Sequence, residues 1–314
     1  MRFGVAILLS VLDEAVLAEW CLRYLDAPVK RVLFRSGHLS DVVGVELLSG
    51  LQVVVKARPF EPRIAGCLRV QAELARGDFP CPRPLTLATR VRDLTVSAET
   101  AVPGGRPLPP EDGAASFAGL LARLITSAPA PASVPDLTPS PPWTGWDHPG
   151  RRLWPDLDEH GNDLNLAAGP EWIDDAARRV RERLTSRPGR ACIGHGDWES
   201  QNIRWTDQDP LAVHDWDSVI GQPETAIVGL AAAVWSRDER PDQTPTVAQT
   251  ADFITSYQHL AGRDWDSSEI RDVWAAGLWV RLFDAKQEVA EGGGLQLDRL
   301  AGEIDERLDQ AALK

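Results

Sequence analysis

Two short motifs separated by a hairpin's length of chain constrain this sequence more than any other feature. His195-Gly196-Asp197-Trp198-Glu199-Ser200-Gln201-Asn202 is followed by Val213-His214-Asp215-Trp216-Asp217. Between them, residues 202–205 read as a short strand, 206–210 as a turn and 211–214 as the returning strand. A tight hairpin of this kind brings Asp197, Asn202 and Asp215 together at one end. Phosphoryl transfer from a nucleotide needs a carboxylate to orient the acceptor hydroxyl, and an amide with a second carboxylate to hold Mg2+ on the phosphates. The H-x-D-x-x-x-x-N spacing and the later Asp supply that set. Either motif alone is weak, because Asp and His often sit in turns for capping or solubility. A His/Asp metallohydrolase built on His195, Asp197, His214 and Asp215 would have no use for Asn202 or for an upstream nucleotide site.

On these residues the chain resembles the aminoglycoside phosphotransferase and choline kinase family, which carries a catalytic H-G-D-x-x-x-x-N and a metal-binding Asp in an I-D-W-type segment. The resemblance implies an α+β, protein-kinase-like two-lobe fold. It implies a small β-rich N-lobe over residues 1–102 that binds the nucleotide, and a larger, mostly helical C-lobe over 103–314 with the catalytic loop and acceptor site. Carried over residue by residue, it makes Asp197 the catalytic base, Asn202 the metal-ligating amide and Asp215 the metal-ligating carboxylate at the D-F-G position. Trp216 and Asp217 depart from D-F-G. His195 is expected to brace the loop backbone. ATP or GTP and Mg2+ follow as the implied cofactors.

The family order then asks for a nucleotide site upstream. Gln52-Val53-Val54-Val55-Lys56 is a β-branched run between Ser49-Gly50 and Pro59, so it reads as a strand leaving a hairpin, with Lys56 placed for the nucleotide's α- and β-phosphates. The preceding strand, 42–48, is entered by Ser36-Gly37-His38-Leu39-Ser40-Asp41. Its Gly37 and Ser40 suit a short phosphate-covering loop, and equally an ordinary hairpin turn. Kinase-like folds pair the strand Lys with a helix Glu. The helix expected over 64–76 has Glu73 as its only acid, late in the segment, while the position aligned with that Glu falls near Leu68 to Gln71. Glu73, Gln71 or no side chain is left to reach Lys56. Glu99, Thr100 and Ala101 are the candidate backbone contacts for the base, just before the Pro103-Gly104-Gly105-Arg106-Pro107 break.

The 314 residues suffice for two cores, and 43% hydrophobic with 25% charged residues is ordinary for a globular protein. A net charge of −13 argues against a nucleic-acid partner, which needs a basic stripe, and suits a small hydroxylated substrate that is neutral or cationic. Cys21, Cys67, Cys81 and Cys192 form no C-x-x-C, which fits buried thiols in a cytoplasmic protein. The apolar stretches 4–12 and 226–235 are too short to span a membrane, and the first reads as the start of an amphipathic helix running to Tyr24. No membrane partner is expected.

Residues 126–170 read as irregular: Pro-rich at 129–142, then Trp143, Trp146 and Trp154 among Asp147, Asp156, Asp158, Glu159 and Asp163. So long a loop is usually functional or disordered, and its tryptophans argue against disorder. Residues 143–163 are therefore a candidate acceptor wall, with cation–π contacts to a cationic acceptor, or else aromatics packing the loop down. Helices are expected over 112–125, 227–235, 245–261 (N-cap Thr244, Pro245 first), from Ile270 through Phe283, and 298–313. A non-catalytic nucleotide-binding protein is the alternative, motivated by the displaced helix Glu. A protein kinase is disfavoured by the lack of an A-P-E-like segment after Asp215.

Overall fold

The computed structural model describes residues 12–37, 40–107, 113–156, 162–207, 209–238 and 243–314. Most of the apolar 4–12 segment, His38 and Leu39, Asp112, and Asp158 with Glu159 lie outside the described residues. The chain divides into two compact units, 1–104 and 105–314, the division falling inside the Pro- and Gly-rich break.

The N-terminal unit starts with helix α1 (Glu14–Leu25), whose N-cap Asp13 accepts a hydrogen bond from the Val16 amide. Strands β1 (Val29–Ser36), β2 (Asp41–Leu47), β3 (Gln52–Pro59), β4 (Thr89–Val91) and β5 (Leu94–Thr100) form one antiparallel sheet in the order β1-β2-β3-β5-β4. Side chains alternate between the faces of a strand. Val53, Val55 and Ala57 of β3, with Val96 and Ala98 of β5, join Leu17, Trp20 and Cys21 of α1 in one core. Lys56 and Glu99 therefore fall on the other face, which helix α2 (Ile64–Arg76) reaches through Gln71.

The C-terminal unit holds α3 (Gly113–Ser127), α4 (Glu171–Thr185), α5 (Glu224–Val234), α6 (Val247–Ala261), α7 (Ser267–Ala290) and α8 (Leu295–Gln310). Two small antiparallel pairs complete it: β6 (Ala191–His195) with β9 (Val219–Pro223), and the hairpin of β7 (Ile203–Thr206) with β8 (Asp209–Val213). α5 and α7 cross at glycines. A Cβ at Gly229 would lie 2.0 Å from the Val273 carbonyl oxygen, and one at Gly277 would lie 2.7 Å from the Gly229 oxygen. That close approach seats an apolar helix against the middle of α7.

Several expectations shift. α6 starts at Val247 with Thr246 as N-cap, not at Pro245 with Thr244, because Thr246 and Gln249 close a reciprocal capping box. Helix α4 and the β6–β9 pair had no counterpart in the sequence reading. Among the described residues, no helix is long and apolar enough to cross a membrane.

Candidate active site

β6 delivers the first motif and the β7–β8 hairpin the second. His195, at the end of β6, is fully buried. Its Nε2 lies 3.0 Å from the His214 carbonyl oxygen, and its Nδ1 accepts from the Asp197 amide at 3.2 Å. These partners define a neutral ring with the proton on Nε2. One imidazole thus ties the loop carrying Asp197 to the residue before Asp215. Trp198 and Trp216 wedge the ring edge-on, each with its centroid 5.7 Å away. The loops are further closed by Gly196 N–H donating to Ser218 O at 2.7 Å and His214 N–H donating to Asn202 O at 2.8 Å.

Asn202 donates through Nδ2 to the Asp197 carboxylate at 2.7 Å and to its backbone oxygen at 3.0 Å. With its amide nitrogen so committed, Oδ1 is the atom left to face a cation. Asp215 sits in the left-handed region at φ 58° and ψ 50°, a conformation Asp tolerates better than most residues. Its Oδ2 accepts from Ser218 Oγ at 3.3 Å. Hard oxygen donors of this kind fit Mg2+, which takes one or two protein ligands and fills its shell with phosphates and water. Among the described residues, no cluster of three or more His, Cys, Asp or Glu forms a self-contained metal cage. Asn202 and Asp215 would share such an ion with a nucleotide.

Electrostatics single out Asp197. Burial raises its pKa well above the ordinary carboxylate value, Glu199 and Asp215 add to the rise, and Asn202 and Arg237 oppose it. Sequence reasoning missed the tie beneath this loop. Glu199 accepts from Arg237 Nη1 at 2.8 Å and from Gln201 Nε2 at 2.6 Å, while Arg237 Nη2 pairs with Asp284 of α7. Burial works against the charge on Arg237, but Asp284 and Glu199 more than offset it and hold its pKa above the usual value. No local spacing links position 237 to positions 199 and 284, so only the fold reveals them.

In the N-terminal unit, Lys56 on β3 lies 3.1 Å from Glu99 of β5. This corrects one expectation. Glu73 does not reach Lys56; it pairs with Arg69, one turn earlier on α2. The Glu99 side chain is buried against Lys56 and Gln71. The Ala101 amide donates to Gln52 O at 3.1 Å and that of Thr100 to Arg83 O at 2.9 Å, so both N–H groups are engaged within the unit. Gly37 has φ +132°, and a Cβ there would lie 1.7 Å from the Ser40 carbonyl oxygen, so this turn requires glycine.

The tryptophans of the irregular segment pack rather than line an open wall. Trp154 is 1% exposed, donates to Asp174 at 2.8 Å and tilts against Trp279 at 5.2 Å. Trp146, 5% exposed, donates to Gln222 at 3.2 Å. Trp143 is the one that borders the site, donating to the Gly196 oxygen at 2.9 Å.

A five-stranded sheet with two helices, followed by a mostly helical unit carrying H-G-D-x-x-x-x-N and a hairpin Asp, defines the class: a protein-kinase-like phosphotransferase fold. The model of the phosphotransferase enzyme family (APH) matches residues 30–275, and the chain belongs to that family. Among solved structures, the amicoumacin kinase hAmiN in complex with AMP-PNP and Ca2+ is similar at a TM-score of 0.66 with 10% identity, over 95% of this chain and 94% of that one. Aminoglycoside phosphotransferase APH(4)-Ia, in a ternary complex with ADP and hygromycin B, gives 0.61 with 14% identity over 94% and 98%. A fructosamine-3-kinase described as putative, from Thermobifida fusca, gives 0.57 with 17% identity over 93% and 98%. At these identities the likeness is one of fold. No curated protein sequence matches the chain.

Proposed function

We propose that this protein is a Mg2+-dependent O-phosphotransferase that moves the γ-phosphoryl group of ATP, or GTP, to a small hydroxylated molecule. The observation that carries the reading is the joint tethering of Asp197, Asn202 and Asp215 around His195. Family membership and the nucleotide complexes of similar structures support it.

Asp197 orients the acceptor hydroxyl and receives its proton as the new O–P bond forms and the bond to the leaving nucleoside diphosphate breaks. Asn202 holds the Asp197 carboxylate in place through Nδ2 and offers Oδ1 to the metal, and Asp215 offers its carboxylate. When bound, Mg2+ neutralises charge that develops on the phosphates. Lys56 contacts the phosphates, and Gly37 and Ser40 border them. Most of the rate enhancement then comes from positioning and fixed charge. The nucleotide role thus falls to the N-terminal unit and the acceptor chemistry to the C-terminal unit.

The acceptor is small and hydroxylated, and the chain's net charge of −13 suits a neutral or cationic one. The four free cysteines accord with a cytoplasmic location. Purified protein supplied with ATP, Mg2+ and a panel of hydroxylated amines, sugars and antibiotics should form a phosphomonoester with at least one of them. Asp197→Asn should lower that rate by about 10²- to 10⁴-fold with the fold and nucleotide affinity retained. Transfer at the wild-type rate by folded Asp197→Asn would refute the assignment.

A further inference from the structure

Lys56 has the counter-ion a phosphate-binding lysine needs, supplied from an unexpected element. Its Nζ is 3.1 Å from Glu99 Oε1, and the two side chains are only 11% and 6% exposed. The other carboxylate oxygen, Oε2, accepts from Gln71 Nε2 at 2.9 Å, and the same Nε2 donates to Pro82 O at 2.9 Å. Two acceptors around one nitrogen fix the orientation of the Gln71 amide. Gln71 is fully buried and occupies the part of α2 where the sequence analysis looked for a carboxylate. The helix thus presents a neutral amide where a glutamate was expected, and the negative charge comes from the sheet.

The register explains how the sheet does this. Lys56 stands opposite Ser97, so Glu99 is the next β5 residue on the same face. The β3–β5 ladder runs without a register shift from Val53↔Thr100 to Pro59↔Leu94. Both charges are therefore carried on adjacent hydrogen-bonded strands. The Glu99 carboxylate is also felt by Cys81, whose thiol is pushed up to about 12, first by burial and then by that charge. Arg58, the neighbouring cation on this face, is committed to Ser97 Oγ at 3.0 Å.

We propose that Glu99 is the positioning residue of the nucleotide site: it holds Lys56 aimed, with Gln71 bracing its second oxygen, in place of a helix carboxylate. The proposal rests on the reading that Lys56 contacts the nucleotide phosphates. Because the pair is built on one sheet, the lysine is ordered without any movement of α2. A kinase-like fold that carries this carboxylate on the helix can lose the pair when the helix shifts; this chain keeps it in place.

The test is a double-mutant cycle on full-length protein, reading ATP affinity at fixed Mg2+ by calorimetry and folding by thermal denaturation. Lys56→Met should weaken ATP binding, and Glu99→Gln should weaken it by about tenfold, the worth of one charge-assisted contact. In the Lys56→Met background, Glu99→Gln should add nothing further. The exchange Gln71→Glu with Glu99→Gln keeps the pocket's net charge, and should recover most of the loss. Wild-type affinity in Glu99→Gln beside weak binding in Lys56→Met would overturn the proposal and leave Lys56 as the phosphate contact. Equal losses from Glu99→Gln in both backgrounds would also overturn it, by showing that Glu99 does not act through Lys56. Wild-type affinity in Lys56→Met would instead remove the nucleotide role of Lys56, and the proposal with it.

Discussion

Lys56 and Arg237 are both buried cations paired to carboxylates, yet the chain holds them in opposite ways. Lys56 faces one carboxylate from the adjacent strand of its own sheet, with an amide sharing that carboxylate. Arg237 follows α5 and bridges two carboxylates, Glu199 in the loop that carries Asp197 and Asp284 on α7. The first pair is fixed by strand register. The second ties together elements distant in sequence, and without its cation two buried acids would repel each other close to Asp197. A ladder can tolerate the loss of one side chain, because its backbone hydrogen bonds persist, whereas a three-way ionic tie cannot.

That contrast sets the largest expected effect. Arg237→Met should cost about 3 kcal/mol or more of folding stability, because removing one partner strands the charges it compensated. Urea unfolding measures it. Adding Glu199→Gln and Asp284→Asn to Arg237→Met removes the stranded charges and should recover most of the loss. A full cost in the triple variant would mean that Arg237 contributes through packing, and the contrast with Lys56 would lapse.

A smaller effect appears in the pH dependence. The folded-state pKa of Asp197 is raised, so the folded protein binds this proton more tightly than the unfolded chain does. By linkage its contribution is unfavourable at neutral pH. The penalty is relieved as pH falls through the folded-state value toward the ordinary 3.8. Metal-free wild type should therefore gain stability relative to Asp197→Asn as pH is lowered from neutral toward about 5. Urea unfolding of both proteins at stepped pH reads this difference directly, and a constant gap between them would show that Asp197 titrates normally.

The same contrast explains what the sequence disclosed. Asp197, Asn202 and Asp215 were legible because their geometry is local: a loop and one hairpin, written as fixed spacings. The α2 boundaries were legible from apolar periodicity, and Lys56 from the β-branched run that ends on it. Glu99 and Gln71 were not paired in advance, since their contact depends on strand register and on how α2 lies over the sheet. Arg237 was invisible for a similar reason, its partners lying on a loop and a helix with no shared spacing. Thr244 before Pro245 looked like the cap of α6, but the Gln249 side chain closes its box with Thr246. Trp146 and Trp154 suggested a binding wall by composition alone, and their buried indole hydrogen bonds assign them to packing.

The central claim is that Asn202 and Asp215 present oxygen donors to a metal shared with a nucleotide, beside the Asp197 carboxylate. ATP titrated into wild type with and without Mg2+, and into Asp215→Ala under the same two conditions, tests it most directly. Wild type should bind at least about tenfold more tightly with Mg2+ present, and Asp215→Ala should lose most of that gain while remaining folded. An equal Mg2+ enhancement in the two proteins would contradict the account.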